Sequence, residues 1–177
     1  MKLSKLYYLE TENRFGRVLL TASDQGLAGC YFIGQKYMPD IAPQWQPAPQ
    51  HAILQQAARQ LNAYAGGNLQ RFDLPFAFAE GTEFQQRVWR AIAAIPFGET
   101  ITYAELARRV GSPNAVRAAG AATGRNPISV IVPCHRVLGS NGSLTGYAGG
   151  LDRKKALLTL EGVLRERGEA QMEIGYV

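Results

Sequence analysis

Histidine and cysteine are scarce in this chain: 177 residues hold two of each. The two cysteines, Cys30 and Cys134, are too few for a disulfide framework, and neither stands in a metal-ligand spacing. With His51 and His135 the only histidines, a zinc site would lack most of its ligands. No metal and no cofactor is expected. Long apolar runs are missing as well, none approaching the roughly 20 residues that cross a bilayer, so no membrane partner is expected. Residues 1–10 offer no h-region or cleavage site, which predicts no signal peptide and a cytoplasmic protein. An apolar content of 46% excludes disorder, and the scattered glycines exclude a collagen-like repeat.

What charge there is lies unevenly. Residues 1–80 hold seven Lys/Arg against six acids, residues 81–177 twelve against eight. Either the second half is a solvated basic surface or it binds a polyanion. Charge alone does not decide.

Turn signals cut the first eighty residues into a small sheet and a helix. Strand-forming residues fill 5–9, 17–21 and 27–33, separated by Glu12-Asn13-Arg14 and Ser23-Asp24-Gln25-Gly26. A proline-rich loop follows, then a helix over about 51–64 whose Ile53, Leu54, Ala57, Ala58, Leu61 and Tyr64 keep a helical period. Gly66-Gly67 ends it. Cys30, inside an apolar strand, reads as a buried, inert thiol. Near Gly81 the pattern changes, which sets domains at 1–80 and 81–177. Thr82-Glu83-Phe84-Gln85 has the form of a capping box and opens a helix over 83–95. A second box, Thr102-Tyr103-Ala104-Glu105, opens a short helix that runs to Val110 and stops at Gly111. Ser112-Pro113 then predicts an immediate restart, Ser as N-cap and Pro at the first helical position. Two short helices around a glycine turn form a helix-turn-helix pattern or a packed corner of two helices without nucleic acid. The fold class is α/β (α+β): a sheet-plus-helix domain, then a mostly helical domain with a helix-turn-helix.

The second of those helices is made of small residues around one guanidinium, Arg117. Reading bases in the major groove takes several long polar side chains. A helix of Ala and Gly suits the minor groove, about 6 Å wide, where it would bind with little sequence preference. The alternative is a helix buried against its neighbours with Arg117 at the rim.

The chemistry concentrates in residues 126–137. The apolar, β-branched run 128–132 predicts a buried strand, ended by Pro133 and followed at once by Cys134. His135 and Arg136 flank the thiol, and such neighbours are expected to lower its pKa. Adjacent residues of an extended chain point to opposite sides, so Cys134 and His135 need a local turn or a bridging water to communicate. The last helix, 151–161, has the wrong sign at both ends: Arg153, Lys154 and Lys155 near its start, Glu161 at its finish before Gly162. A carboxylate that orients an imidazole would explain Glu161, and surface ion pairs are the other reading. Between them, residues 139–150 are rich in glycine, and Leu144 and Tyr147 argue for a fixed loop over a linker.

Together, Asn126-Pro127, Pro133-Cys134-His135-Arg136-Val137, the helix Ala115-Val116-Arg117-Ala118-Ala119-Gly120, and the stretch from Gly146-Tyr147-Ala148-Gly149-Gly150-Leu151 to Glu161-Gly162 resemble the O6-alkylguanine-DNA alkyltransferases. The resemblance covers about residues 82–162. It implies direct, single-use transfer of an alkyl group from guanine O6 to Cys134, in double-stranded DNA, with the base flipped out through minor-groove binding. It implies that His135 is a base acting through water, that Glu161 orients it, and that Asn126 supports the site. Tyr103 and Lys154 would assist departure of the guanine, Tyr103 by proton transfer. Arg117 would fill the space of the flipped nucleotide, beside DNA contacts from Tyr103, Ala115, Ala118, Gly120 and Arg125. Val137, Tyr147, Ala148 and Gly149 would line the base pocket. The partner is duplex DNA carrying O6-alkylguanine, met as a monomer, with cooperative binding and O4-alkylthymine repair left open. Two departures stand out: Ala148 replaces the Ser of many relatives, and the N-terminal zinc ligands of some relatives have no counterpart.

Two other functions compete. A cysteine hydrolase using Cys134, His135 and Glu161 would ordinarily bring thiol and imidazole from separate segments. A non-catalytic lesion-binding module would need no nucleophile.

Overall fold

Two seven-residue strands on either side of a tight loop begin the first structural unit. The computed structural model describes residues 5–165. Strand β1 (Tyr7–Asn13) pairs antiparallel with β2 (Gly16–Ala22) from Tyr7↔Ala22 to Asn13↔Gly16, and β2 pairs antiparallel with β3 (Leu27–Phe32). The strand expected to stop at residue 9 therefore continues to Asn13, because Arg14 and Phe15 alone suffice for the turn. Asn13 accepts the Phe15 N–H on its side-chain oxygen across that turn, the local bond that suits Asn to such positions. A two-residue strand, β4 (Gln46–Pro47), joins β1 in parallel and gives the order β3-β2-β1-β4. β2 is central and buried from Val18 to Ala22, so both its faces are covered.

Helix α1 (Ala52–Ala65) lays Leu54, Ala57, Leu61 and Tyr64 against β1 and β2. It ends where Gly67 takes a positive φ of 81°, as the Gly66-Gly67 pair predicts.

The run 128–132 is not a strand. Only Ile128 pairs, in a single parallel bridge with Cys30, held by Cys30 N–H to Pro127 O (2.8 Å) and Ser129 N–H to Cys30 O (2.9 Å). At Val130 the chain turns: φ is 70°, and the Ile131 N–H reaches back to Ser129 O at 2.8 Å. This is a γ-turn of the rare, strained hand, and a β-branched residue at positive φ is a true outlier. Apolar composition and β-branching both favour a strand here, and tertiary context overrides them. By contacts, residues up to Gly81 group with Pro127–Ile131, and Thr82–Asn126 groups with the residues from Val132 onward.

The second unit starts with the Thr82 capping box complete. The Thr82 hydroxyl accepts the Gln85 N–H (3.1 Å) and the Gln85 side chain accepts the Thr82 N–H (3.0 Å). Helix α2 (Glu83–Ala93) buries Val88, Trp89 and Ile92. Strand β5 (Ile101–Thr102) leads into α3 (Tyr103–Arg109), where the box is only half made. The Thr102 hydroxyl accepts the Glu105 N–H (3.1 Å), but the Glu105 carboxylate turns to Arg108 and to Arg109 (3.0 Å). Gly111 takes φ 80° and stops the helix.

The restart at Ser112-Pro113 does not occur. Ser112 offers its carbonyl, not its hydroxyl, to the Ala115 N–H (2.9 Å), which closes a separate turn. Helix α4 (Val116–Gly124) begins three residues later than expected, without a side-chain cap. α2, α3 and α4 pack on one another, and the Trp89 indole N–H donates to Ala122 O (2.8 Å). After a single 3-10 turn (Cys134–Arg136), strand β6 (Val137–Leu138) pairs in parallel with β5 as Ile101↔Val137 and Thr102↔Leu138. Helix α5 (Leu151–Leu160) packs on the 3-10 turn, with Glu161 as its C-cap and Gly162 at φ 79°. Among the described residues no helix is long and apolar enough to cross a membrane.

Candidate active site

The β5–β6 pairing decides which residues meet. Tyr103 directly follows β5, and the Cys134–Arg136 turn directly precedes β6, so two short parallel strands bring a phenol toward a thiol. Pro133 sets the turn up. Its φ of −82° and ψ of 66°, with the Cys134 N–H on Val132 O (2.8 Å), make an inverse γ-turn. Asn126 reinforces it by donating its side-chain N–H to the same Val132 carbonyl (2.8 Å). The 3-10 turn supplies the local bend that an extended Cys134-His135 pair lacks.

One carboxylate organises the interior. Glu161 is fully buried and accepts from Arg136 Nε on Oε1 (2.7 Å), Arg136 Nη2 on Oε2 (2.9 Å), and the Gly98 N–H on Oε1 (3.2 Å). His135 Nε2 lies 2.6 Å from Glu161 Oε2. With an ionised carboxylate there, the proton belongs on Nε2, which leaves Nδ1 as the acceptor. That Nδ1 is buried and has no hydrogen-bond partner among the described residues. Burial pushes the His135 pKa below the ordinary imidazole value, against the pull of Glu161, so the ring is neutral at rest. The guanidinium of Arg136 also donates to Ile95 O (2.5 Å), so it is a spanning tie between α2's end and α5's end.

The thiol itself departs from expectation. Burial raises the Cys134 pKa, although Asn126 and the cation of Lys154 act to lower it. Neither the adjacent cation nor the imidazole ion-pairs with it: His135 Nε2 and the Arg136 guanidinium turn to Glu161. The resting sulfur is a protonated thiol that needs a base. Lys154, wholly buried, donates from Nζ to Val137 O (2.8 Å) and Thr145 O (3.0 Å). Burial brings its pKa down to about 8, against the opposing pull of Cys134. Tyr103 is half-buried, its phenol pKa raised by burial and lowered in part by Thr145, whose Oγ1 lies 3.2 Å from the phenol oxygen.

The loop 139–150 is fixed, as Leu144 and Tyr147 suggest. Leu144 is buried with Leu138, Leu158 and Leu164. Among the residues expected to line a base pocket, Val137 and Gly149 are buried, Tyr147 and Ala148 half-buried. Val137 and Gly149 spend their carbonyls on Lys154 and on Arg153 Nη1 (3.0 Å).

On α4 the burial is one-sided. Ala119, Ala122 and Thr123 face the core, while Arg117, Ala118 and Ala121 are exposed. Arg125 is exposed beyond the helix, and Ala115 and Gly120 are half-buried. Arg117 has no hydrogen bond or ion pair among the described residues. A Cβ built on Gly120 would meet only Tyr103 Cδ1, at 3.8 Å, so its smallness is not a packing demand. The helix thus presents a shallow surface with one long cation, and is not wholly buried against its neighbours.

Arg136, Thr145 and the Gly98 N–H went unassigned to these roles by sequence reasoning. Only Arg136 carried a signal there, as a cation beside the thiol, and its partner was misjudged.

Residues 83–163 match the family model described as 6-O-methylguanine DNA methyltransferase, DNA binding domain, and residues 6–78 match that of the same family's ribonuclease-like domain. A methylated-DNA–protein-cysteine methyltransferase of Methanosarcina acetivorans is 48% identical over 157 residues, 89% of this chain and 99% of that protein. One from Mycobacterium tuberculosis is 45% identical over 156 residues, 88% and 92% of the two chains. The crystal structure of Mycobacterium tuberculosis OGT in complex with DNA superposes with a TM-score of 0.80 at 44% identity, covering 88% of this chain and 92% of that one.

Proposed function

The chain belongs to the 6-O-methylguanine DNA methyltransferase family, and from that premise we propose that Cys134 takes an alkyl group from guanine O6 in duplex DNA, once per protein molecule. One observation carries this reading: a buried thiol sits on a turn beside an imidazole whose far nitrogen is anchored by a buried carboxylate.

The steps balance. The Cys134 proton passes through a water to His135 Nδ1, and Glu161 stabilises the imidazolium. The thiolate attacks the alkyl carbon, and the C–O6 bond breaks with its electron pair left on the base. Tyr103 gives its phenol proton to the departing guanine, and the proton held on His135 restores the phenol through solvent. The lysine cation of Lys154 steadies the thiolate while it exists. A thioether is a poor leaving group, so the sulfur is consumed.

A base inside a duplex does not present O6 to a protein sulfur, and extrusion costs a few kcal/mol. The exposed small-residue face of α4 suits close approach in the minor groove, and Arg117 suits the space a flipped nucleotide leaves. In this reading α3 and α4 act as a helix-turn-helix. The protein acts as a monomer in the cytoplasm, where its two thiols, which form no disulfide, stay reduced.

Exposure to duplex DNA containing O6-methylguanine, followed by intact-mass measurement and peptide mapping, is expected to show one methyl group on Cys134. More than one lesion removed per molecule, or repair with the sulfur unmarked, overturns the reading. Arg117→Ala is expected to slow transfer about tenfold in duplexes, as one side chain's share of the flipping cost, and less in single strands. Equal losses on both substrates remove the extrusion step.

A further inference from the structure

Thr145 touches both the phenol given to the departing base and the ammonium given to the thiolate. Its carbonyl accepts Lys154 Nζ (3.0 Å), and its Oγ1 lies 3.2 Å from the Tyr103 phenol oxygen. Its orientation is set by packing. The Thr145 methyl faces Gly139 so closely that a Cβ at position 139 would lie 3.4 Å from Thr145 Cγ2. The neighbouring Leu144 is anchored in the core beneath α5. With its carbonyl, its methyl and its neighbour Leu144 all in contact, Thr145 keeps its hydroxyl beside the phenol.

We infer that Thr145 is a positioning residue for alkyl transfer: its Oγ–H donates to the Tyr103 oxygen, which leaves the phenol proton directed at the departing base and steadies the phenolate once that proton has gone. This rests on the tyrosine's role given above. A hydroxyl that already accepts a proton from one neighbour donates its own more readily to another, since linked hydrogen bonds polarise each other. The same contact opposes the rise that burial causes in the phenol pKa, in the direction required. The lysine bond to the Thr145 carbonyl ties the two assisting groups to one residue, so the loop delivers them as a unit.

The test uses the full chain and single-turnover methyl transfer from an O6-methylguanine duplex. Thr145→Val keeps the shape and removes the donor, and it is expected to slow transfer about three- to tenfold, the worth of one hydrogen bond. Thr145→Ser is expected to restore the rate to within about twofold, and duplex affinity to stay unchanged in both. Added to Tyr103→Phe, Thr145→Val is expected to cost nothing more. In protein without DNA, the alkaline absorbance step that Tyr103→Phe lacks is expected at higher pH in Thr145→Val but not in Thr145→Ser. A Thr145→Ser variant as slow as Thr145→Val overturns the inference, as does an equal loss in the Tyr103→Phe background. A Tyr103→Phe variant at full rate instead sinks the tyrosine's role, and the titration step then decides for or against the Thr145 contact by itself.

Discussion

Cys30 and Cys134 are both buried, at 1% and 5% exposure, yet they sit in opposite surroundings. Cys30 lies in β3, opposite Leu20 in the ladder and bridged to Ile128, with its backbone N–H and C=O both spent on hydrogen bonds. Cys134 lies on a single 3-10 turn amid an amide, an ammonium, an imidazole and a carboxylate held by a guanidinium. Concealment is common to both and therefore explains neither. What separates them is whether the groups around the sulfur can take its proton and hold the charge that remains.

Substituting each sulfur in turn separates the two sites most sharply. Cys134→Ala is expected to abolish methyl uptake completely. Cys30→Ala is expected to leave transfer at the parent rate and cost about 1 kcal/mol of stability. Methyl uptake surviving in Cys134→Ala would mean the neighbourhood has been misread. Glu161→Gln sharpens the contrast without touching the sulfur. It strips the charge that holds His135 and Arg136, and transfer is expected to fall about 10²- to 10⁴-fold, the usual worth of a positioned base. Stability should fall by about 3–5 kcal/mol, since a buried guanidinium loses its partner, and thermal unfolding would read it.

The smallest effect is the dependence on pH. Burial lowers the His135 pKa, so the ring remains neutral through the ordinary imidazole range and the rate is expected to stay flat from pH 7 to 6. Lys154, brought down to about 8, is protonated below that value and neutral above it. The rate is therefore expected to decline several-fold above about pH 8, as the cation beside the thiolate is lost. A solvent-exposed thiol would show the reverse, a climb with pH, and such a climb would mean that no cation holds the Cys134 thiolate.

Much of this was legible in the residue order because local chemistry carried it. The Thr82 capping box, the left-handed glycines at 67, 111 and 162, and the misplaced sign of Glu161 all state their own reasons. The carboxylate at the negative end of α5 is explained by what it accepts, from an imidazole, a guanidinium and a backbone amide. Other features depend on tertiary context. Val130 belongs to a β-branched run and yet turns at positive φ. Ser112 and Pro113 read as a helix start and form a turn whose hydrogen bond uses a carbonyl. The thiol's pKa could not be inferred from its neighbours in sequence, because adjacency does not fix direction: His135 and Arg136 turn to Glu161, and the cation that faces the sulfur is Lys154, twenty residues away along the chain.

The anchoring of His135 by a residue 26 positions downstream sets a sequence in time as well as in space. A chain made from its N-terminus emerges with the sulfur before the carboxylate that completes the relay. Until α5 closes over the turn, the imidazole has nothing to fix its tautomer and the thiol has no lysine beside it. On the proposed mechanism, a nascent or truncated chain ending short of Glu161 would hold Cys134 without its relay, and transfer would arrive only with the last helix.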